Sequence, residues 1–194
     1  MNDFLTHLII RDRALFSNIN GKWTNQFFDI IMPWVRDSKN WTPLYIVILA
    51  FLFFKWGKLA WKWVLLVGIN VALTDQISSH FFKPFFHRLR PCADPEMMHQ
   101  SRLLLDHCSG GFSFTSSHAA NHFGLAMFVV MTMAPLLNKY RFLFLLWAGI
   151  IAYAQVYVGV HYPADIFVGA LIGVLVGWVN GKLFQMWKNK SLNE

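Results

Sequence analysis

The sequence predicts an all-α protein, a membrane bundle of about five transmembrane helices, or six if one N-terminal helix also crosses. Of its 194 residues, 56% are hydrophobic and only 14% are charged, and the mean hydropathy is +0.40. Soluble domains carry about a quarter charged residues. Several apolar stretches approach the roughly 20 residues that a helix needs to cross the hydrocarbon core. We therefore expect one membrane-embedded domain over residues 1–194.

The formal net charge of +7 bears on the expected partners. In a membrane protein, an excess of Lys and Arg predicts orientation signals and contacts with anionic head groups of the bilayer. The basic residues form no dense patch and no nucleic-acid-binding motif, so no nucleic acid partner is expected.

Residues 1–42 differ in pattern from the rest of the chain. The stretches 3–16 and 23–35 mix charged side chains with Phe, Leu, Ile and Trp at helical spacing. Both are too short and too polar to span, so we predict N-terminal helices that lie in the membrane interface. Asp3 and Asp12 flank only a short apolar stretch, which does not fit a cleavable signal peptide.

The transmembrane core is predicted over residues 43–187. Its helices are expected at residues 43–54 with an extension to Trp56, 61–82, 118–137, 142–160 and 163–187. The loop of residues 83–118 and the turn at His161 then lie on one side of the membrane. The other side carries most of the basic connections, namely Lys55, Lys58, Lys62, Lys139, Arg141, Lys182, Lys188 and Lys190. The positive-inside rule makes that side cytoplasmic, so the 83–118 loop is expected to face outward, towards the periplasm or the cell exterior. The expected location is a bacterial inner membrane.

The two cysteines, Cys92 and Cys108, both lie in this outward loop. An oxidising compartment permits a disulfide between them. Closing a loop of this length would stabilise the fold by roughly 3 kcal/mol in the chain-entropy model. Two unpaired thiols are the alternative.

The last predicted helix carries a glycine at every fourth position: Gly169, Gly173, Gly177 and Gly181. Small residues at this spacing allow two helices to approach closely. Packing within the chain is favoured over a dimer interface.

Two cations lie where the second span ends. Lys83 and Arg90 are seven residues apart, a spacing that returns both to one face of a helix. Two fixed cations can neutralise a phosphate and stabilise the charge of its transition state. A basic cluster that binds lipid head groups is the alternative.

A hydroxyl pair and a histidine precede the third span. Ser116, Ser117 and His118 lie where a helix N-terminus would offer free backbone N–H groups to an anion. His118 is then placed to protonate a leaving oxygen. The alternative is a helix cap followed by an interfacial histidine.

A second histidine lies before the fifth span, with a carboxylate four residues on. Pro163 suits the first position of that helix, which places Asp165 in its first turn close to His161. A carboxylate that accepts from one ring nitrogen leaves the other free as a nucleophile. A capping Asp and an interfacial His remain the alternative. Together, however, the three segments have the groups that phosphate-ester hydrolysis through a phosphohistidine requires.

Lys83 with Arg90-Pro91, Ser116-Ser117-His118 and residues 156–165 resemble the three motifs of the type-2 phosphatidic acid phosphatase (PAP2) family. The resemblance implies a helical membrane enzyme without a metal or another cofactor. It implies that His161 attacks phosphorus, that His118 protonates the leaving group and that Asp165 orients His161. The implied phosphate ligands are Lys83, Arg90, Ser116 and the Ser117 backbone N–H.

The chain departs from the family pattern at two motifs. Thr115 and Ser117 replace Pro and Gly of the second motif but keep hydroxyl and backbone donors. In the third motif Gln155 replaces an arginine, so a phosphate-binding cation is missing. Gln155 can still donate to the phosphate as a neutral ligand, and we hypothesise that Arg88, His87 or His122 compensates.

The predicted function is metal-independent hydrolysis of a phosphomonoester or diphosphate lipid through a phosphohistidine. Polyprenyl diphosphates, phosphatidylglycerol phosphate and lipid A phosphates are the candidate substrates. A lipid phosphotransferase that uses the same phosphohistidine and a non-catalytic lipid-binding protein are the alternatives. A metal site is a further one, because His118 and His122 have helical ligand spacing. The oligomeric state is not predicted.

Overall fold

A computed structural model describes residues 3–192, and the elements it contains there are helices. The α-helices are α1 (Asp3–Ser17), α2 (Gln26–Arg36), α3 (Thr42–Trp56), α4 (Leu59–Asp75), α5 (Lys83–Phe86), α6 (Ser117–Thr132), α7 (Ala134–Leu137), α8 (Leu143–Tyr157) and α9 (Pro163–Leu192). Two π-helical turns, Asn18–Lys22 and Gln76–Phe82, and two 3-10 turns, Ser38–Trp41 and Asn138–Phe142, connect them. The all-helical class predicted from the sequence is confirmed for this part of the chain.

The helices follow the predicted spans with shifts at their ends. The second span does not stop at residue 82, because a π-helical stretch carries α4 into α5 without a break. The third ends earlier than predicted, at Thr132, and a short helix and a 3-10 turn lead to α8. Among residues 3–192, two segments are long and apolar enough to cross a membrane by themselves, Ala134–Tyr157 and Pro163–Lys190. The predicted count of five spans therefore stays a prediction.

The outer surface of the bundle is rich in large apolar side chains. Phe54 is 83% exposed, Trp61 66% and Phe167 65%. Such a surface is unfavourable in water and favourable against lipid tails.

The glycines of α9 pack against α6 within the chain. A Cβ at Gly169 would lie 2.6 Å from the Ser116 carbonyl oxygen, and Cβ atoms at Gly173 and Gly177 would collide with backbone carbonyls of Ala120 and Gly124. The two backbones are thus in direct contact, as predicted. This contact fixes the N-terminus of α6 beside the start of α9.

The N-terminal helices share a hydrophobic core with α8. Phe16, Met32 and Val35 are buried in one cluster with Val156 and Tyr157. Three hydrogen bonds add to this packing. Asn20 donates to the Tyr157 carbonyl (2.8 Å), and Asp29 accepts from the Tyr157 hydroxyl (2.7 Å) and from Arg102 (2.6 Å). Residues 3–41 are therefore fixed against the helix that leads to His161.

The long connection of residues 87–116 is closed by a disulfide between Cys92 and Cys108. The bond predicted from the sequence is thus present, and the cross-link restricts the segment that carries Arg88 and Arg90.

Candidate active site

His161 lies in the tight turn between α8 and α9. Gly159 has a φ of +91°, and a Cβ there would lie 2.6 Å from the Arg102 carbonyl oxygen, so this turn requires glycine. Two residues after the histidine, Pro163 begins α9 as predicted. The turn leaves His161 only 2% exposed.

Asp165 is fully buried and organises the start of α9. Its Oδ2 accepts from the Tyr162 backbone N–H at 2.8 Å and lies 3.4 Å from Nδ1 of His161. The hydroxyl of Ser113 donates a short hydrogen bond to the same carboxylate and lies 3.3 Å from Nδ1. The predicted proximity of His161 and Asp165 is therefore present, and Ser113 is a third member of the group.

Arg90 contacts the opposite nitrogen of the same ring. Its Nη1 lies 3.0 Å from Nε2 of His161 and donates to the Val160 carbonyl at 3.0 Å. A guanidinium can only donate, so Nε2 must accept and carries the lone pair. Nδ1 then carries the proton and faces Asp165. The buried Nε of Arg90 has no hydrogen-bond partner among the described residues, which leaves a donor available for a ligand.

Burial keeps His161 neutral. Burial lowers its pKa from 6.5 to about 4, and the charges of Arg90 and Lys83 act in the same direction while Asp165 opposes them. A neutral imidazole with a free lone pair on Nε2 is a competent nucleophile at neutral pH.

The N-terminus of α6 meets the start of α9 directly. The Ser116 backbone N–H donates to the Asp165 carbonyl at 3.0 Å, and the Ser116 hydroxyl accepts from Ala119 N–H as a helix cap. The Ser117 hydroxyl contacts two hydroxyls of the π-helical turn, Ser78 at 3.1 Å and Ser79 at 2.8 Å. The Ser116 side chain thus caps the helix, while anion binding by the first-turn N–H groups stays a prediction.

Lys83 and His118 complete the set predicted from the sequence. Lys83 begins α5, and its charge interacts with Arg90 and Asp165. Within the described chain its side chain makes no hydrogen bond or ion pair. His118 lies in the first turn of α6, and its electrostatic interactions include His161 and Lys83. All three predicted motifs therefore converge, while the role of each residue stays a prediction.

Arg88, which was considered as a compensating phosphate ligand, is paired with two carboxylates. Its guanidinium pairs with Asp165 at 2.7 Å and with Asp12 at 2.5 Å, and it stacks on the Tyr162 ring at 3.9 Å. Asp12 also accepts from the Ala164 backbone N–H at 2.8 Å. Arg88 thus stabilises the Asp165 carboxylate by an ion pair.

The other two residues considered as compensation also have contacts of their own. His87 is exposed and packs against Phe112, with ring centroids 4.7 Å apart. His122 is 5% exposed, and its Nδ1 lies 2.8 Å from the His118 carbonyl oxygen. Residues 3–192 contain no group of three His, Cys, Asp or Glu side chains arranged to hold a metal ion.

Gln155 is fully buried, and its amide contacts an arginine from the N-terminal segment. Arg36 Nε donates to Gln155 Oε1 at 3.2 Å, and Gln155 Nε2 donates to the Arg36 carbonyl at 3.4 Å. Direct phosphate binding by Gln155 remains a prediction.

Sequence reasoning missed Ser113, Asp12 and Arg36 as neighbours of the site. Each lies far along the chain from the motif that it contacts, and no sequence motif marks it. The one available signal was the missing arginine at position 155, which indicates that another cation is required but not where it lies.

A cavity of about 560 Å³ opens beside the site between α3, α4 and α6. Its lining is mostly apolar and includes Leu49, Val67 and Leu125, with His118 and His122 at its polar end. An amphiphilic ligand could place its tail here with its head group near His118.

Comparison with known proteins identifies the family. The sequence model of the PAP2 superfamily matches residues 60–189, which include all three motifs. The chain belongs to the PAP2 superfamily. The family resemblance predicted from the sequence is thereby confirmed.

Named relatives of this PAP2 protein are bacterial lipid phosphatases. It is 33% identical to the lipid A 4'-phosphatase of Bacteroides thetaiotaomicron over 92% of this chain and 78% of that protein. It is also 33% identical to the lipid A 4'-phosphatase of Porphyromonas gingivalis, over 97% and 79%. Phosphatidylglycerophosphatase B of Bacillus subtilis is 28% identical over 76% and 74%. These matches confirm the predicted enzyme class, a lipid phosphatase.

Two solved structures share the fold. The crystal structure of Aquifex aeolicus LpxE aligns with a TM-score of 0.65 at 26% identity, covering 87% of this chain and 93% of that one. A transmembrane PAP2-type phosphatidylglycerolphosphate phosphatase from Bacillus subtilis aligns with a TM-score of 0.65 at 22% identity, covering 95% and 87%. The PAP2 protein therefore has the helical fold of membrane phosphatases.

Proposed function

We propose that this PAP2 protein hydrolyses a phosphorylated membrane lipid through a phosphohistidine at His161, without a metal ion. The observation that carries the proposal is the contact between Arg90 and His161. Arg90 directs the lone pair of Nε2 toward the cationic end of the site, while Asp165 faces Nδ1–H. The nucleophile is thus in the required tautomer before substrate arrives.

In the first step, Nε2 of His161 attacks phosphorus and the bond from phosphorus to the lipid oxygen breaks. A protonated His118 gives its proton to that leaving oxygen, which departs as the lipid alcohol or phosphate. The Nδ1–H of His161 stays on the ring and is stabilised by Asp165 as positive charge develops.

In the second step, water attacks the phosphohistidine. His118, now neutral, takes a proton from the water as the phosphorus–nitrogen bond breaks. Inorganic phosphate leaves, and His161 regains its lone pair. A lipid acceptor in place of water would make the same site a phosphotransferase.

The phosphate oxygens would be held by cations and by a helix N-terminus. Lys83 and Arg90 supply positive charge, and the unpaired Nε of Arg90 supplies a donor. The first-turn N–H groups at Ser117 and His118 face an anion favourably, because the helix dipole is positive at that end. The Ser116 hydroxyl would also bind a phosphate oxygen once its hydrogen bond with the Ala119 N–H breaks.

The substrate we favour is a lipid A phosphate. The two relatives that are 33% identical over most of this chain both carry the name lipid A 4'-phosphatase. The apolar cavity beside His118 suits an acyl chain that remains within the bilayer while the head group enters the site.

We further propose that residues 1–194 form one domain with five transmembrane helices, α3, α4 with α5, α6 with α7, α8 and α9. The shared core of residues 3–41 with α8 supports a single domain. In the bacterial inner membrane this arrangement places the site on the periplasmic side, and the disulfide in the same loop is compatible with that oxidising compartment.

The test is phosphate release by the protein purified in detergent. The substrates are lipid A, phosphatidylglycerol phosphate, undecaprenyl diphosphate and phosphatidic acid, each with chelator, and His161→Ala is the control. We expect chelator-resistant release from lipid A that the variant abolishes. Phosphate release only from another lipid would identify that lipid as the substrate in place of lipid A. Transfer of the phosphate to a second lipid, without free phosphate, would make the protein a phosphotransferase. No turnover by the folded protein would overturn the proposal.

A further inference from the structure

Arg36 lies beside position 155, at which the third motif of the family has an arginine. Position 155, which carries Gln instead of that arginine, is in direct contact with Arg36 through both the side chain and the backbone. The Gln155 carbonyl also accepts from the His161 backbone N–H at 3.3 Å. In space, Gln155 therefore lies between Arg36 and the turn that carries His161.

The charge of Arg36 reaches the site. Its electrostatic interactions include Arg90 and His118, which lie on different segments of the site. Burial is the main cause that lowers the pKa of Arg90, and the positive charge of Arg36 adds to it while Asp165 opposes. Two guanidinium groups that repel each other across a site are stabilised when a dianion lies between them.

Arg36 has donors to spare. Only Nε is used, in the bond to Gln155, and the two terminal nitrogens have no hydrogen-bond partner among residues 3–192. It makes no ion pair with a carboxylate in that range, whereas Arg88 is paired with both Asp12 and Asp165. Of these two arginines, only Arg36 has terminal nitrogens that are free to bind a ligand.

The position of Arg36 is fixed by its helix. It is the last residue of α2, directly after the buried Val35, whose carbonyl accepts from Trp41 Nε1 at 2.9 Å. The helix begins at an Asn25 cap and is tied to α8 through Asp29 and Tyr157. A side chain held in this way can bind a ligand without a large ordering cost.

We propose that Arg36 supplies the third phosphate-binding cation of this enzyme, with Gln155 as the residue that positions its guanidinium. The N-terminal segment thus completes the active site by bringing in from α2 the charge that the third motif has lost. This inference rests on the proposed phosphatase function, because it assigns Arg36 a role at the same phosphate. Gln155 then acts through Arg36.

The test compares Arg36→Gln with Lys39→Gln, a matched loss of charge at an exposed position three residues on. We expect Arg36→Gln to lower kcat/KM by roughly 10- to 150-fold, the value of a hydrogen bond to a charged group. Lys39→Gln should remain within about twofold of the wild type, and Arg36→Lys should retain part of the activity. Orthovanadate and inorganic phosphate should inhibit Arg36→Gln more weakly than the wild type, while the thermal unfolding temperature is unchanged.

An exchange variant tests the equivalence of the two positions. Arg36→Gln combined with Gln155→Arg should recover activity relative to Arg36→Gln alone, because the cation returns to the position it has in the family. A folded double variant that is no more active would overturn that equivalence.

Two results would overturn the role of Arg36 itself. One is an Arg36→Gln enzyme with kcat/KM within about twofold of the wild type. The other is a loss of activity with a lower unfolding temperature and unchanged inhibition by vanadate, which would indicate a structural role. If the wild type hydrolyses no lipid, the proposed function fails separately, and vanadate binding measured by thermal shift still tests Arg36.

Discussion

Nη1 of Arg90 lies 3.0 Å from Nε2 of His161, on the side of the ring opposite Asp165. The contact has two consequences for a nucleophilic histidine. It fixes the tautomer, because a guanidinium cannot accept a hydrogen bond. It also places a guanidinium beside the atom that attacks phosphorus in the proposed mechanism, so that Arg90 could donate to an incoming phosphate instead of to Nε2.

Arg90 is therefore expected to act mainly in the transition state. Arg90→Ala should lower kcat by about 10²- to 10³-fold, the usual loss when one preorganised donor to a developing anion is removed. Initial rates over a range of lipid concentrations would separate kcat from KM. Arg11→Ala removes an exposed arginine of α1 and serves as the control. A change confined to KM would contradict the expectation.

Ser113 should support Asp165 without touching the substrate. Ser113→Ala removes a hydrogen bond to the buried carboxylate, and we expect kcat to fall by about 10-fold with little change in KM. Steady-state kinetics measure both values. Ser101→Ala is a matched control, because that hydroxyl makes only long contacts to backbone carbonyls, both at 3.4 Å. An unchanged kcat in Ser113→Ala would show that Tyr162 N–H and Arg88 hold Asp165 sufficiently.

The contact between α6 and α9 should tolerate no added methyl group. Gly173→Ala places a Cβ against the Ala120 carbonyl and 2.8 Å from the Gly124 nitrogen, so the helices must separate. We expect a loss of about 1–3 kcal/mol, measured as a lower thermal unfolding temperature in detergent. Gly68→Ala on α4 is the control, because no atom lies within 4 Å of its added Cβ. Equal unfolding temperatures for the two variants would contradict the close packing.

The buried His161 should make the fold sensitive to acid. Its pKa is lowered from 6.5 to about 4 by burial, so the unfolded chain binds a proton below pH 6.5 that the native site does not accept. The native state then loses stability as the pH falls from about 6.5 toward 4, and above pH 6.5 the effect vanishes.

The measurement compares thermal unfolding of the wild type and His161→Gln at several pH values between 7 and 5. The unfolding temperature of the wild type should fall relative to that of the variant as the pH decreases. Parallel curves would mean that His161 titrates near its ordinary value.

Much of the fold was predictable because the membrane imposes long apolar helices on the sequence. Pro43 and Pro163 mark helix starts, and the four-residue spacing of the glycines of α9 predicts the close packing that the structure has. Helix ends were less predictable. The chain passes from α4 through a π-helical turn into α5, and no sequence pattern distinguishes such a turn from a regular helix.

The sequence by itself determined the chemistry of this protein. Lys83, Arg90, His118, His161 and Asp165 belong to the short motifs by which the chain resembles PAP2 phosphatases, and the family match includes them. Tertiary structure alone decided which further side chains contact these motifs. Ser113, Asp12 and Arg36 reach it from 48 residues or more away along the chain, by hydrogen bonds that carry no sequence periodicity. A helix repeats its pattern every few residues, whereas a contact between distant segments depends on how all the helices pack, and only the folded chain displays it.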